Sequence, residues 1–361
     1  MPLGLPWQPS LSSYWRSSRA LTSARLSTSS SEATSLRYAK ILVGICAILV
    51  IALEVSSLCL LKNHSVTFRR VSRQYAEAVK MRPARAGEPT SVLMVGNSLL
   101  LHGVDVERLR QLTSENMRIY PIFLEGTGYY DWLYGLRRLF GRGARPQVVV
   151  VGLEVNTALV NGVWEESPML LLDAKDIVDV ASDLGLDHTA TSNVLLSHVS
   201  AFWGMRTFFR RRVLRSLVPH YEDLFPFVRS DQNAAQDPEL EAILRSRLES
   251  LREVCAEHGA KLMVVIPPTP SSETAVRRMA LAAEKAGVDA LVPIDPTVLP
   301  ASFYERDRVH LNSEGALRFT SALALDLCKT IVAVTNHKSY TTREERTINH
   351  IPGDNDVWKR S

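Results

Sequence analysis

The sequence is poor in the features that mark several specialised classes of protein. It contains only four cysteines, Cys46, Cys59, Cys255 and Cys328, and none has the short paired spacing of a zinc site or a redox motif. It also lacks a P-loop, an HExxH motif and a GxGxxG motif after a strand. We therefore predict no metal and no cofactor. We expect all four thiols to be structural. A disulfide between Cys255 and Cys328 is an alternative that the sequence does not support.

An excess of one charge sign is missing as well. The chain has 42 basic and 38 acidic residues, a formal charge of +4 that is spread along its length, so no nucleic-acid partner is predicted. Its 46% hydrophobic and 22% charged content excludes a wholly disordered chain and a many-span membrane protein. At roughly 150 residues per domain, the 361 residues allow one large domain with additional segments.

The first 40 residues have no sustained hydrophobic pattern. They contain eleven serines and five basic residues but a single acid, Glu32. Such a composition predicts a disordered segment over residues 1–40. An organellar transit peptide, an over-long gene start and a plain cytosolic tail are the alternatives for this segment.

A long apolar run follows over residues 41–61. Only Gly44, Glu54, Ser56 and Ser57 interrupt the apolar side chains of these 21 residues, and a helix of that length crosses a bilayer core of about 30 Å. The run is too long and too far from the N-terminus for an ordinary cleaved signal. We therefore predict a single-pass transmembrane helix that serves as an uncleaved anchor, with a buried helix of the folded domain as the alternative.

Two features of this run concern its setting in a membrane. Basic residues flank it on both sides, so their number does not decide the orientation; we expect the folded domain on the extracytoplasmic side. Glu54 is costly in lipid, which predicts that it lies towards one interface, pairs with a partner helix or is protonated.

Short apolar strands alternate with amphipathic helices between residues 90 and 333. This alternation predicts a three-layer α/β/α domain, built on a doubly wound, flavodoxin-like parallel sheet of about five strands. Within 240–257 the apolar residues recur at three- and four-residue steps, as one buried helical face requires. The predicted strands are 91–95, 119–124, 147–153, 261–266 and 291–294, and the predicted helices include 104–112, 131–140 and 240–257.

The third and fourth predicted strands are about a hundred residues apart, far more than a crossover needs. A mostly helical insertion over residues 157–237 accounts for the excess, and it places aromatic residues beside five arginines. The simpler interpretation is an amphipathic helix with a solvated basic face. The alternative is a cap over a site that meets an anionic substrate or lipid headgroups. Residues 336–361 are polar and predict a loose tail.

Two short motifs contain chemically active residues, one directly after the first predicted strand and the other just before the last predicted helix. Gly96, Asn97 and Ser98 come directly after the first strand, at the edge where parallel sheets bind ligands. The second motif, DRVHLN, precedes the last helix, and in it Asp307 and His310 are spaced so that the carboxylate can accept a hydrogen bond from the imidazole.

Taken together and in this order, the two motifs resemble the SGNH/GDSL hydrolase family over about residues 90–333. The resemblance implies Ser98 as the nucleophile, His310 as the general base and Asp307 as the residue that orients the imidazole. It also implies two donors to an oxyanion: Gly126, with Gly128 as a less favoured choice, after the second strand, and an asparagine after the third.

The sequence departs from the family pattern at two positions. Asn97 stands where the family usually has aspartate, and Glu154 stands at the asparagine position of the GxN motif. Because a carboxylate cannot donate a hydrogen bond unless it is protonated, the amide donor is expected to be Asn156, two residues further on.

The resemblance implies a serine esterase, O-acyltransferase or deacetylase that works through an acyl-serine intermediate, and the apolar run over residues 41–61 adds the expectation that it is anchored in a membrane. The expected substrate is an acylated carbohydrate or an envelope glycan. This expectation rests on analogy with the family rather than on a property of the site. The alternative, prompted by Asn97 and Glu154, is a non-catalytic glycan-binding or scaffold protein with the same fold. The oligomeric state is open.

Overall fold

The computed structural model describes residues 28–85, 87–219, 238–269 and 273–348. Its first element is one long helix, α1 (Thr28–His64). Within the described ranges, the Ser35–His64 part of α1 is the one helix long and apolar enough to cross a membrane, with a mean hydropathy of 2.6. By length and composition it suits an anchor, although a signal sequence near the N-terminus has the same properties.

The structure differs from the expectation of disorder over residues 1–40, because residues 28–40 already belong to α1. Glu32, Ala33, Leu36 and Ala39 are good helix formers. Once the apolar helix has formed, extending it backwards avoids the cost of nucleation. Residues 1–27 lie outside the described residues.

The chain divides into two compact units, one ending at Leu53 and the other beginning at Glu54. The described part of the first unit is helix, and its apolar side chains are exposed, for example Ile48 at 67% and Val43 at 68%. The second unit contains the sheet and the remaining helices.

The second unit begins with α2 (Val66–Ala78) and then alternates strands and helices. The first half comprises β1 (Thr90–Gly96), α3 (Ser98–Gly103), α4 (Val106–Thr113), β2 (Met117–Phe123), α5 (Tyr129–Gly141) and β3 (Val148–Gly152). The helices that follow within residues 153–219 are α6 (Val155–Leu159), α7 (Ser167–Leu170), α8 (Asp176–Asp183), α9 (His188–Val199), α10 (Ala201–Gly204) and α11 (Arg206–Leu217). The second half comprises α12 (Pro238–Ala256), β4 (Lys261–Val265), α13 (Glu273–Lys285), β5 (Asp289–Leu291), two 3-10 turns (Pro296–Val298 and Ala301–Phe303) and α14 (Ser313–Ile348).

All five strands form one parallel sheet in the order β2-β1-β3-β4-β5. This is the flavodoxin-like order, so the predicted fold class is confirmed. Successive residues of β1 face opposite sides of the sheet: Val92 and Met94 belong to one apolar core, and Leu93 and Val95 to the other. Helices therefore cover both faces of the sheet. The side that they leave open is the one at the carboxyl ends of the strands.

Two predicted segments have clearly different bounds in the structure. The fifth strand is Asp289–Leu291 rather than 291–294, because Pro293 has no N–H to give to a ladder. The predicted loose tail is helical as far as Ile348, since α14 extends through residue 336. The described part of the insertion consists of helices and short connections, and its residues 220–237 lie outside the described ranges.

Candidate active site

The Ser98 loop is held in place by close packing between α3 and the sheet. Gly96 ends β1 and is paired in register with Gly152 at the end of β3. The side chain of Leu100, in the first turn of α3, lies over both glycines, and a Cβ added to Gly96 would be 2.7 Å from its Cδ1. A larger residue at either glycine would push α3 away, so the two glycines seat the helix that begins with Ser98.

Asn97 connects this loop to the loop after β2. Its Oδ1 accepts a hydrogen bond from Leu99 N at 2.9 Å and so caps α3, while its Nδ2 donates to Thr127 O at 3.3 Å. An aspartate could cap the helix but could not donate to a carbonyl. The departure from the family pattern therefore gives the buried Asn97 a second hydrogen bond.

The His310 loop is a tight turn organised by Asp307. Asp307 Oδ1 accepts hydrogen bonds from Val309 N at 2.8 Å and His310 N at 3.0 Å. Arg308, inside the turn, adopts a left-handed φ of 58°, which costs free energy for a residue with a side chain. Asn312 ends the loop by capping α14, with its Oδ1 accepting from Glu314 N and Gly315 N.

Ser98, His310 and Asp307 form a connected set. His310 Nδ1 lies 2.6 Å from Asp307 Oδ2, and His310 Nε2 lies 2.9 Å from Ser98 Oγ, across 212 residues of sequence. The carboxylate favours the imidazole N–H at Nδ1, which leaves the Nε2 lone pair directed at the serine hydroxyl. The arrangement is that of a serine nucleophile, a base and an orienting carboxylate.

The charge of Asp307 is maintained by its hydrogen bonds. Burial by itself would raise the pKa of this carboxyl, but the hydrogen bonds from the His310 side chain and from the two backbone N–H groups outweigh burial and hold the pKa below its ordinary value. Asp307 is therefore an anion throughout the neutral range, as an orienting partner of an imidazole must be.

His102 also belongs to the site, although its position in the sequence did not assign it a role. It follows Ser98 by one helical turn in α3, and its ring centroid lies 4.8 Å from that of His310. Burial, and then the proximity of His310, lower the pKa of His102. The i, i+4 spacing from Ser98 was the signal that could have identified it.

The loop after β2 contains Gly126, the first predicted oxyanion donor. Gly126 has a φ of 77°, and the indole of Trp164 lies so close that any Cβ there would collide with it. Among the described residues, neither Gly126 N–H nor Ser98 N–H donates to an acceptor. Arg70 of α2 holds this loop through an ion pair with Glu125 at 2.9 Å.

The loop after β3 is arranged differently from the family pattern. Glu154 is the N-cap of α6: its Oε1 accepts from Thr157 N at 3.1 Å, and Thr157 Oγ1 accepts from Glu154 N at 3.2 Å. Asn156 Nδ2 donates to Glu154 Oε2 at 3.2 Å. Burial raises the pKa of Glu154, yet both of its oxygens accept hydrogen bonds, as those of an ionised carboxylate do. Glu154 is thus a capping residue, and the Asn156 amide is bound to it.

Asn156 also lines a groove of about 820 Å³ between α5, α6 and α12. Tyr129, Tyr130 and Asn161 line the same groove, and the guanidinium of Arg247 lies over both tyrosine rings, 4.9 and 5.0 Å from their centroids. The groove presents amide and aromatic surfaces next to the third strand's loop.

A scan against protein-family models matches none of them, and no curated protein sequence matches the chain. The solved structures that are distantly similar include TesA, LAE5 and an acetyl-xylooligosaccharide esterase. TesA is 13% identical, with a TM-score of 0.36, over 66% of this chain and 98% of its own. LAE5, an α/β hydrolase enzyme from the metagenome of Lake Arreo, is 12% identical, with a TM-score of 0.35, over 68% and 97%. A mutant acetyl-xylooligosaccharide esterase from Geobacillus is 14% identical, with a TM-score of 0.32, over 66% and 94%.

Proposed function

We propose that this protein is a membrane-anchored serine esterase or O-acyltransferase of SGNH type. The observation behind the proposal is the chain of contacts from Asp307 Oδ2 to His310 Nδ1 and from His310 Nε2 to Ser98 Oγ. A polar chain of this kind, at the end of a parallel sheet where ligands bind, serves nucleophilic catalysis better than it serves folding. Each of its three side chains is aimed at the next.

The reaction follows from this geometry. Ser98 Oγ attacks the ester carbonyl while His310 Nε2 takes its proton, and the carbonyl oxygen becomes an oxyanion. The N–H groups of Ser98 and Gly126, together with Asn156 if its amide turns away from Glu154, are the proposed donors to that oxyanion. The imidazolium then gives its proton to the departing alcohol, which leaves an acyl group on Ser98. Water, or a substrate hydroxyl, repeats these steps and releases the acyl group as an acid or a new ester.

The proposed substrate is an acylated carbohydrate or envelope glycan. The groove beside Asn156 supports it, because amide groups and aromatic rings suit the hydroxyls and flat faces of sugars. The proposed location is a membrane, with α1 as the anchor and the sheet domain on the extracytoplasmic side; the apolar length of α1 supports the anchor.

Active-site labelling tests the proposal. A fluorophosphonate should label the full-length wild-type protein in detergent, and Ser98→Ala should abolish the label. Ser321→Ala, which changes an exposed serine on α14, is the matched control and should leave labelling unchanged. Failure of the wild type to react, with the protein folded, would favour the non-catalytic glycan-binding or scaffold alternative.

A further inference from the structure

Glu54, the one acidic residue in the apolar run of α1, has partners in the insertion. Its Oε1 accepts a hydrogen bond from Ser200 Oγ, and its Oε2 accepts from Ala201 N at 2.8 Å and from Phe202 N at 3.4 Å. A carboxylate that faces three donors at the start of a helix is well stabilised even where water is scarce. Of the settings expected for Glu54, pairing with a helix is the one observed, and the helix is α10 of the same chain.

The contact continues down one face of α1. Glu54, Ser57 and Leu61 recur at three- and four-residue steps, and Ser57 and Leu61 are buried. Leu61 is in an apolar cluster with Ala201 and Met205, against which Phe208 and Phe209 pack. The other face stays open, with Val55 at 54% and Leu60 at 44% exposure.

The position of Glu54 along α1 determines how deep in a bilayer its contact with α10 would lie. Glu54 lies seven residues before Leu61, the end of the apolar run, which corresponds to about 10 Å along a helix at 1.5 Å per residue. If the run spans a bilayer, whatever touches Glu54 must lie inside the boundary between headgroups and hydrocarbon. The start of α10 touches it.

The surface of the insertion suits that environment. Exposed apolar side chains extend from α9 to α11, with Val199 at 65%, Val213 at 54% and Leu217 at 72%. Between His188 and Leu217 there is no acidic residue, whereas α11 contains five arginines. Long basic side chains beside exposed apolar ones are typical of segments that lie in an anionic membrane interface.

We propose that α9–α11 form an interfacial platform: their apolar residues enter the acyl-chain boundary beside α1, and the exposed Arg210, Arg211 and Arg212 of α11 bind anionic lipid headgroups. This inference rests on the proposed anchoring by α1 but not on the proposed esterase activity. The platform and α1 would then fix the sheet domain against the bilayer at two places rather than one.

Spin labels on the full-length chain in vesicles of phosphatidylcholine and phosphatidylglycerol test the proposal. In a background without the four native cysteines, single labels are placed by Val199→Cys and Leu217→Cys on the platform. Ile48→Cys reports on the span, and Val298→Cys is a control on the sheet domain with a similar exposure of 70%. The measured quantity is the accessibility of each label to dissolved oxygen relative to a water-soluble nickel complex.

The platform labels should have a higher ratio of oxygen to nickel accessibility than Val298→Cys and should approach Ile48→Cys. Ratios equal to that of Val298→Cys, with Ile48→Cys in lipid, would overturn the platform and leave the anchor intact. Low accessibility to both reagents would also overturn it, since it indicates a protein partner or a second copy. An aqueous ratio at Ile48→Cys would refute the anchor, and the platform with it.

A second variant checks the contact that sets the depth. Glu54→Ala removes the acceptor of α10, so the platform labels should move towards the aqueous ratio while Ile48→Cys keeps its own. No movement would show that the Glu54 contact does not position the platform, which would overturn the depth argument.

Discussion

Two groups of polar residues at the same edge of the sheet, one in the Ser98 and His310 loops and one in the loop after β3, are used in opposite ways. In the Ser98 and His310 loops the side chains are directed at one another, from Asp307 through His310 to Ser98. In the loop after β3 they are directed inward, because Glu154 caps α6 and binds the Asn156 amide. The first arrangement leaves a lone pair ready for a proton, and the second leaves the nearby polar groups satisfied.

Under the proposed mechanism, this difference separates the part of the site that must keep one geometry from the part that can vary. A serine, a base and an orienting acid must act as a unit, so their geometry cannot relax without loss of function. Oxyanion donors are several and partly interchangeable, and two backbone N–H groups, of Ser98 and Gly126, remain open among the described residues. The polar groups of the loop after β3 can therefore cap α6, while Ser98, His310 and Asp307 keep their geometry.

The largest expected effect comes from Asp307→Asn. The amide loses the charge that supports the imidazolium and favours the wrong tautomer of His310, so turnover of a small activated ester should fall by about 10⁴-fold. The control is Asp295→Asn, because Asp295 also accepts from the N–H two residues on, Thr297 N, but at an exposed turn. That variant should keep its activity; equal losses in both would contradict the triad.

The same residue gives a pH dependence with a defined sign. The pKa of Asp307 is held below its ordinary value in the folded protein, so its stabilising contribution is present above that ordinary value and is lost as the pH falls through the lowered one. Asp307→Asn should therefore unfold at the same acid pH or a higher one than the wild type, and never at a lower one, in a circular dichroism titration.

The next largest effect is expected from Asn156→Ala, in the loop after β3. If Asn156 leaves Glu154 to donate to the oxyanion, Asn156→Ala should slow acylation by about 100- to 1,000-fold, the usual loss for one such donor. Asn161→Ala is the matched control, since Asn161 lines the same groove, and it should have little effect. If single-turnover labelling shows similarly small decreases in the acylation rate of both variants, Asn156 does not donate to the oxyanion.

The sequence predicted the sheet and the contacts among Asp307, His310 and Ser98, because both leave local signals. Alternating apolar runs mark the strands, and Ser98 and His310 stand in short motifs whose order is itself informative. The missed features depend on distant partners. Asn97 gains its second role from a carbonyl 30 residues away, and Glu54 finds its donors about 146 residues away.

Glu154 is a different kind of miss. A capping box normally has a serine or threonine at the N-cap and a glutamate three residues later, whereas here Glu154 is the N-cap and Thr157 has the third position. Because the order is reversed, the sequence did not identify Glu154 as a capping residue, and it was noticed only as a departure from the GxN motif.

The next prediction is that Asn97→Asp lowers the stability of the folded protein. The variant leaves Thr127 O without its donor and sets a buried carboxylate against a carbonyl, which should cost about 1–3 kcal/mol. Thermal unfolding of the detergent-solubilised protein should show a midpoint lower by several degrees. Asn116→Asp, at an exposed position, is the control. An unchanged midpoint in Asn97→Asp would mean that the link to the Gly126 loop contributes nothing.

The smallest expected effect comes from His102, which borders the triad without belonging to it. Its lowered pKa keeps the ring uncharged at neutral pH, so no second cation stands beside His310 when that imidazole takes the serine proton. His102→Arg replaces a neutral ring, whose centroid lies 4.8 Å from that of His310, with a side chain that carries a permanent positive charge. Since like charges disfavour the imidazolium, acylation should slow by about tenfold, which corresponds to roughly 1.4 kcal/mol in the barrier.

His102→Gln separates charge from packing in this experiment. It removes the ring but adds no charge, so acylation at neutral pH should stay closer to the wild-type rate than in His102→Arg. Raising the salt concentration should narrow the gap between the two variants, because screening weakens the interaction between partly exposed charges. If the two variants lose the same activity at every salt concentration, His102 acts on His310 through packing of the two rings, and the electrostatic argument is wrong.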